Sequence, residues 1–177
     1  MLTQQPYKVP RTAMEVFEML PEGTLCQVIE NVIYMSPTPS FDHQSIVSEI
    51  HFQIVSLLKK QNLGKCVPAP LDVFLDSTNA FQPDIIFISN DNLSIIKEGK
   101  VKGTPDLIVE VHSPGTKDYD LGKKKIVYER NGVKEYFAVD QKNKEVHAFY
   151  LKNNKFETQP KVKGKITSKL LKKTFRF

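Results

Sequence analysis

The sequence of 177 residues is long enough to form one domain with a full hydrophobic core, and its 40% hydrophobic and 25% charged residues are typical of a soluble globular protein. No apolar run approaches the roughly 20 residues of a transmembrane helix, and the N-terminus lacks the layout of a signal peptide. Cys26 and Cys66 show no zinc-type spacing, so we expect two reduced thiols and a cytoplasmic location.

Charge is distributed unevenly along the chain. Residues 1–100 carry 7 Lys or Arg and 11 Asp or Glu, whereas residues 101–177 carry 18 and 9. The stretch from Lys161 to Phe177 holds seven basic residues and no acidic one. This asymmetry favours a polyanionic partner on one side of the protein, although lysine-rich surfaces also serve solubility alone.

Two helices and a hairpin are predicted in the first third of the chain. A short helix is expected over Thr12–Leu20, and a hairpin over Leu25–Met35 with its turn near Glu30-Asn31. A longer helix is expected from Phe41 to Lys60, because its apolar residues recur at helical spacing. His43 lies on that apolar stripe at the N-terminal end of the helix, either as a hydrogen-bonded core residue or as a functional one.

The remaining elements predict an α/β fold, a central mixed β-sheet flanked by helices. These elements are strands at Lys65–Leu75, Phe81–Ser89 and Pro105–Ser113, a helix at Asp118–Asn131, and strands at Lys134–Asp140, Glu145–Leu151 and Lys155–Thr158.

The predicted strand Pro105–Ser113 combines an apolar face with a face that can bind a metal or move a proton. Alternation at period two gives the apolar face Leu107, Val109 and Val111, and the other face Asp106, Ile108, Glu110 and His112. A carboxylate within a buried strand is unfavourable unless it is compensated. Glu110 is therefore a candidate functional residue.

Asp84 is the second candidate acid. It follows Pro83, which is tolerated at the start of a strand but not in its middle, so Asp84 is expected at the entrance of the strand that ends at Ser89. Two neighbouring buried carboxylates repel each other unless a cation lies between them. A hard divalent ion such as Mg²⁺ suits this arrangement, and metal-assisted phosphodiester hydrolysis is the chemistry it predicts.

The Pro83-Asp84 pair followed by Glu110 in an apolar strand resembles the PD-(D/E)XK superfamily of restriction-endonuclease-like proteins. More closely, the chain resembles the Uma-two family of endonucleases, and the likeness covers most of its length. The specific part is the run GTPDLIVEVHSPGTKDYDLGKKKIVYERNGVKEYFAVD, together with QPDIIFIS and His43 at the start of its helix.

The resemblance implies a single restriction-endonuclease-like nuclease domain over residues 1–177. It implies that Asp84 and Glu110 bind Mg²⁺ or Mn²⁺, with the backbone carbonyl of Val111 as a further ligand, and that the substrate is DNA. The superfamily lysine normally stands two residues after the glutamate, where this chain has His112. The resemblance therefore places the catalytic lysine on the following helix, at Lys124 or at one of its neighbours Lys123 and Lys125. Spacing favours Lys124, which shares a helix face with Asp120 and Tyr128.

Other departures leave alternatives open. The family hairpin usually carries a Glu where this chain has Gln27, so an accessory acid is missing. His112 is either a catalytic ligand or proton carrier, or a packed residue at a strand end. The first hypothesis is a Mg²⁺-dependent DNA endonuclease, which a two-fold homodimer would suit. The second is an inactive nuclease-like fold that binds nucleic acid or protein. A hydrolase of small phosphorylated substrates is the third, but the sequence has no Gly-rich phosphate loop to support it.

Overall fold

The computed structural model describes residues 9–113 and 115–177 as a mixed α/β fold. A 3₁₀ helix spans Asn90–Ile95, and a π-helical turn, Tyr119–Lys124, leads directly into the third α-helix. Within these residues, no helix is both long and apolar enough to cross a membrane. The α-helices are α1 (Ala13–Met19), α2 (Phe41–Gln61) and α3 (Lys125–Arg130). The strands are β1 (Cys26–Ile29), β2 (Val32–Met35), β3 (Gly64–Pro68), β4 (Val73–Asp76), β5 (Asn79–Phe81), β6 (Ile85–Ser89), β7 (Ile96–Lys97), β8 (Lys100–Lys102), β9 (Leu107–His112), β10 (Glu135–Asp140), β11 (Glu145–Lys152), β12 (Lys155–Thr158), β13 (Val162–Lys163), β14 (Lys165–Ser168) and β15 (Lys173–Arg176).

The larger sheet carries the predicted acidic strand at its centre. Its strands run in the order β12-β11-β10-β9-β6-β3, and β13 pairs with β11. Strand β9 is parallel to β10 and antiparallel to β6, so the sheet is mixed, as predicted. The smaller sheet has the order β2-β1-β5-β4-β8-β7, and β14 and β15 form a separate hairpin. The segment between β9 and β10 contains the π-helical turn and α3, which places that helix beside the strand.

Two hydrophobic cores lie on opposite faces of the larger sheet. On one face, Leu107, Val109 and Val111 pack with apolar residues of α2 and of the β14–β15 hairpin. On the other face, Ile108 packs with Tyr128 of α3 and with residues of the smaller sheet. The predicted period-two alternation of β9 is therefore confirmed. The alternation arises because both faces of β9 are covered by other elements, so the side chains on each face pack into a separate core.

The predicted strand Lys65–Leu75 was wrong as a single element. The chain leaves the larger sheet after Pro68 and enters the smaller sheet at Val73. Pro68 and Pro70 lack the N–H group that a continuing ladder requires, which explains the break. The same reasoning applies at Pro83, where the predicted strand Phe81–Ser89 is divided between β5 and β6.

Two further regions differ from the sequence prediction. The interval 91–103, expected to be a loop, contains most of the 3₁₀ helix and the β7–β8 pair. The β14–β15 hairpin was not predicted, because Ile166 and Phe175 each stand between two polar residues and form no apolar run in their strands. These residues are almost fully buried against α2, a partner that a local pattern does not reveal.

Candidate active site

Asp84 and Glu110 are brought together by the register of two neighbouring strands. Strand β6 pairs antiparallel with β9, and Ile85 lies opposite Val109. Continuing this register by one residue places Asp84 directly across from Glu110, 26 positions further along the chain. Asp84 precedes the first residue of β6, so the predicted position at the strand entrance is confirmed. The two acids predicted from the sequence thus meet at one end of the larger sheet.

One oxygen of Asp84 is held by two donors. The backbone N–H of Val111 donates to Oδ2 over 2.6 Å, and Nε2 of His43 lies 3.1 Å from the same oxygen. His43 is in the first turn of α2, whose N-cap Ser40 accepts the His43 backbone N–H. The end of α2 is thereby fixed close to β9. His43 therefore orients the Asp84 carboxylate, which gives the inward-facing histidine a defined contact.

Glu110 receives two hydrogen bonds from the segment that follows β9. Lys124 Nζ donates to Oε1 over 3.0 Å, and the Tyr128 hydroxyl donates to the same atom over 2.6 Å. Lys124 Nζ also lies 2.9 Å from Oδ1 of Asp120. All four side chains are buried. A buried lysine shared by two buried carboxylates fixes the position of all three groups.

The helical register selects Lys124 from three successive lysines. Asp120, Lys124 and Tyr128 are spaced by four residues and therefore face the same side, toward Glu110. Lys123 turns outward and donates to the Tyr34 hydroxyl, while Lys125 lies over the ring of Phe149. Of the three candidates, Lys124 is the one that contacts Glu110.

The electrostatic environment favours a cation between the carboxylates. Burial raises the pKa of Glu110, and the negative charges of Asp120 and Asp84 raise it further, against the opposing effect of Lys124. Burial opposes protonation of Lys124, but Asp120 and Glu110 outweigh it and raise the lysine pKa, so Lys124 remains charged. Burial lowers the pKa of His43, but the hydrogen bond to Asp84 and the negative charges of Asp84 and Glu110 together outweigh this effect and raise the pKa.

The acidic pair lines a cavity of about 530 Å³ at this end of the sheet. Residues from α2, the β1–β2 hairpin, the loop after β9 and the π-helical turn contribute to its wall. A T-shaped pair of tyrosines, Tyr34 and Tyr119, lies at its side with ring centroids 5.2 Å apart. The site-forming side chains in the wall are Gln27, His43, Asp84, Glu110, Asp120 and Lys124.

The donor set fits a hard divalent cation. Only one oxygen of each acid is engaged, since Oδ1 of Asp84 and Oε2 of Glu110 accept no hydrogen bond from the described residues. A divalent ion would also offset the repulsion that raises the Glu110 pKa. The described residues do not bring three His, Cys, Asp or Glu side chains together as metal ligands. The remaining ligands would be oxygens of the Val111 carbonyl, of water and of a substrate phosphate, which Mg²⁺ accepts readily.

Two residues on the acidic face of β9 lie outside the cavity. His112 is buried, does not line the cavity, and has no hydrogen-bond partner for either ring nitrogen among the described residues. Asp106 lies at the opposite end of β9, where its carboxylate accepts from Ser89 N–H and from the side chains of Asn92 and Lys134. Asp106 thus joins β6, β9 and β10 structurally. Gln27 does line the cavity, at the position of the missing accessory acid.

Two site residues were not predicted as functional from the sequence. Asp120 and Tyr128 were recognised only as sharing a helix face with Lys124, and their spacing of four residues was the available signal. Their contacts with Lys124 and Glu110 depend on how the helix packs against β9.

Comparison with known proteins supports the nuclease fold. The structure matches a crystal structure of "a putative nuclease belonging to DUF820 from Anabaena variabilis" with a TM-score of 0.69 and 23% sequence identity, covering 84% of each chain. This similarity shows that the fold is restriction-endonuclease-like. A comparison with proteins of curated function gave no match. The sequence model of the Uma2 family, described as "Putative restriction endonuclease", matches residues 14–171, and the chain therefore belongs to that family.

Proposed function

We propose that the protein is an endonuclease that hydrolyses DNA phosphodiester bonds with the help of Mg²⁺ or Mn²⁺. The observation that carries the proposal is the convergence of Asp84, Glu110 and Lys124 in one cavity. Two carboxylates can hold the divalent ion of metal-assisted phosphodiester hydrolysis, and a charged lysine beside them can stabilise the negative charge on the phosphate. Membership of a nuclease family and the fold support the same reaction.

Each side chain has a defined task in this proposal. Asp84 and Glu110 hold the metal, assisted by the carbonyl of Val111, and a bound divalent ion supplies Lewis-acid stabilisation and an activated water. Lys124 carries a permanent positive charge beside Glu110 and stabilises the negative charge that builds up on the phosphate in the transition state. His43 keeps the Asp84 carboxylate in place. His112 stays a predicted catalytic residue, with no contact among the described residues that supports it.

The wider context of the proposal follows from charge and symmetry. The excess of basic residues in the second half of the chain favours DNA as the polyanionic substrate. A two-fold homodimer would present one active site to each strand of a duplex, which suits double-strand cutting. A cytoplasmic location completes the proposal, since the chain has two free cysteines.

The test is nicking of a supercoiled plasmid by the purified chain with and without Mg²⁺ or Mn²⁺. Asp84→Ala and Glu110→Ala should each reduce nicking by more than about 100-fold, because even the outer partners of metal ligands usually contribute 10- to 100-fold. Asp91→Ala is the matched control, since Asp91 is exposed and lies outside the cavity. Circular dichroism establishes that each variant is folded. Undiminished nicking by both alanine variants would refute the proposal.

The same variants distinguish an inactive binding module from an enzyme. The presence of Gln27 in place of an acid is the observation that favours the module. A module would bind DNA in a salt-sensitive manner without cutting it, and its DNA affinity would not depend on Glu110. Calorimetric titration with Mn²⁺ gives a second readout. Mn²⁺ binding by the wild type that disappears in Glu110→Gln supports the enzyme.

A further inference from the structure

The lysine and arginine side chains of the described residues fall into two groups, according to whether they form an ion pair with a carboxylate. In one group, each cation forms an ion pair with a carboxylate, and most of this group lies away from the cavity. Its members are Lys102 with Glu98, Lys124 with Glu110 and Asp120, Arg130 with Glu30, Lys134 with Asp106, Lys152 with Glu157, Lys155 with Glu129 and Lys161 with Glu145.

The second group has no carboxylate partner among the described residues. Some of its members, such as Lys59, Lys60 and Lys97, lie in other parts of the chain. Five others lie in the turn after β10 and in the C-terminal strands: Lys142, Lys144, Lys163, Lys165 and Arg176. We call these five residues the basic strip. Four of them are exposed and Lys165 is half-buried.

Backbone contacts show that the basic strip is continuous. Lys163 of β13 lies opposite Glu145, and the N–H of Gly164 donates to the carbonyl of Lys144. Lys165 lies opposite Arg176 in the terminal hairpin. The turn, β13 and the hairpin therefore follow each other across one edge of the protein.

The basic strip starts at the rim of the cavity. Gln141, which precedes Lys142, lines the cavity, and its backbone N–H donates to the carbonyl of His112 at the end of β9. The strip thus leads from the carboxyl end of β9 toward the C-terminal hairpin. A polyanion bound in the cavity would meet unpaired positive charge on leaving it.

The acids near the strip do not neutralise it. Glu145 is occupied by Lys161 and His147, and Asp140 accepts the backbone N–H groups of Lys142 and Asn143. Asp118 is exposed at the N-cap of the π-helical turn. Unpaired exposed lysines repel each other, and a polyanion relieves this repulsion with release of its counterions.

We infer that the basic strip binds the sugar-phosphate backbone of a nucleic acid, on the side of the cavity that leads to the C-terminal hairpin. This inference rests on the proposed function for the identity of the substrate. An anionic membrane is the less suitable partner, because Leu170 is the one exposed large apolar residue among residues 141–177 and surface binding to lipid needs apolar insertion. The strip has no role in bond cleavage.

The test is binding of a fluorescent 20-base-pair duplex, measured by anisotropy in EDTA at several salt concentrations. The strip variant is Lys142→Gln/Lys144→Gln/Lys163→Gln, and the control is Lys102→Gln/Lys152→Gln/Lys155→Gln. Both lose three positive charges from the exposed surface, so they have the same net charge. If each lysine of the strip contacts one phosphate, the slope of log K against log salt should decrease by about 2.7 in the strip variant, with an affinity loss of at least about tenfold at moderate salt. The control should stay within about twofold of the wild type.

Three outcomes would overturn the inference. The first is an equal loss of duplex affinity in both variants, and the second is an unchanged duplex affinity in the strip variant. The third is a wild-type chain that binds vesicles with 30% anionic lipid but not the duplex. Because the measurement needs neither metal nor cleavage, it separates the inference from the proposed function. If the wild type does not cut DNA but the strip variant loses duplex affinity, the proposed function fails and the inference stands. If the wild type cuts DNA but the strip variant binds the duplex unchanged, only the inference fails.

Discussion

Lys124 Nζ lies 3.0 Å from Oε1 of Glu110, although the lysine belongs to the helical segment and the glutamate to the strand before it. The position two residues after Glu110, where the superfamily has its lysine, is occupied by a buried histidine that does not reach the cavity. The lysine beside Glu110 therefore comes from the helical segment and not from the strand. Asp120 on the same helical segment holds Lys124 from the other side, so the lysine lies between two carboxylates.

Lys124→Gln should reduce both stability and activity. It leaves Glu110 and Asp120 buried without a cation, and breaking a buried ion pair in this way usually costs about 3–5 kcal/mol. Adding Asp120→Asn removes one uncompensated charge and should recover part of the free energy of unfolding, but not the nicking activity. Urea unfolding and plasmid nicking measure the two effects separately. Lys125→Gln is the control and should keep nearly full activity, since Lys125 contacts Phe149 instead. Recovery of activity in the double variant would show that Lys124 is structural only.

Tyr128→Phe should weaken metal binding by about tenfold, the lower range for loss of an outer partner of a metal ligand. The hydroxyl donates to Glu110 over 2.6 Å and restricts the carboxylate to one orientation. Mn²⁺ affinity from calorimetric titration is the readout, with thermal unfolding measured in parallel. Tyr136→Phe is a matched control, because this equally buried hydroxyl donates to the Asp120 backbone carbonyl. Equal losses of Mn²⁺ affinity in both variants would rule out a specific role of Tyr128.

His43→Ala should lower Mn²⁺ affinity and nicking by about tenfold, with little change in stability. Its ring fixes Oδ2 of Asp84, and the alanine leaves that carboxylate held by the Val111 N–H alone among the described residues. His51→Ala on the same helix is the control, since Nε2 of His51 lies near the Cys66 carbonyl, far along α2 from Asp84. If His51→Ala lowered Mn²⁺ affinity as much as His43→Ala, the effect would come from α2 and not from the Asp84 contact.

Asp76 should make folding sensitive to acid. Burial raises the pKa of Asp76, but hydrogen bonds from Asn79, Thr78 and Asn131 outweigh this effect and lower the pKa to about 2. Because the folded-state pKa is below the unfolded value, the stabilisation is complete above the unfolded pKa and is lost as the pH falls toward about 2. We expect a loss of at most about 2.5 kcal/mol through this group.

Urea unfolding at pH values from neutral to strongly acidic checks this expectation. Asp76→Asn should be less stable at neutral pH and should show a smaller decline in acid than the wild type. Asp91→Asn is the control, because Asp91 is exposed and makes no side-chain contact with the described residues through a hydrogen bond or ion pair. An identical acid decline in Asp76→Asn and the wild type would contradict the assignment.

The sequence by itself determined the local structure around the site. Alternation of apolar residues identified the two faces of β9, and helical spacing identified α2, because both strand and helix impose a fixed period on burial. Pro83 placed Asp84 at the start of its strand. The resemblance to a nuclease family then indicated Asp84, Glu110 and Lys124. These expectations agree with the fold and with the positions of the residues in the structure.

Only the tertiary structure decided which of these groups act on each other. Contacts between side chains far apart in sequence depend on strand register and on how helices pack, and neither leaves a local signal. Register brought Asp84 opposite Glu110 and left Asp106 at the other end of β9. Packing of α2 brought His43 to Asp84, and packing of the segment after β9 brought Asp120 and Tyr128 into the Glu110 network.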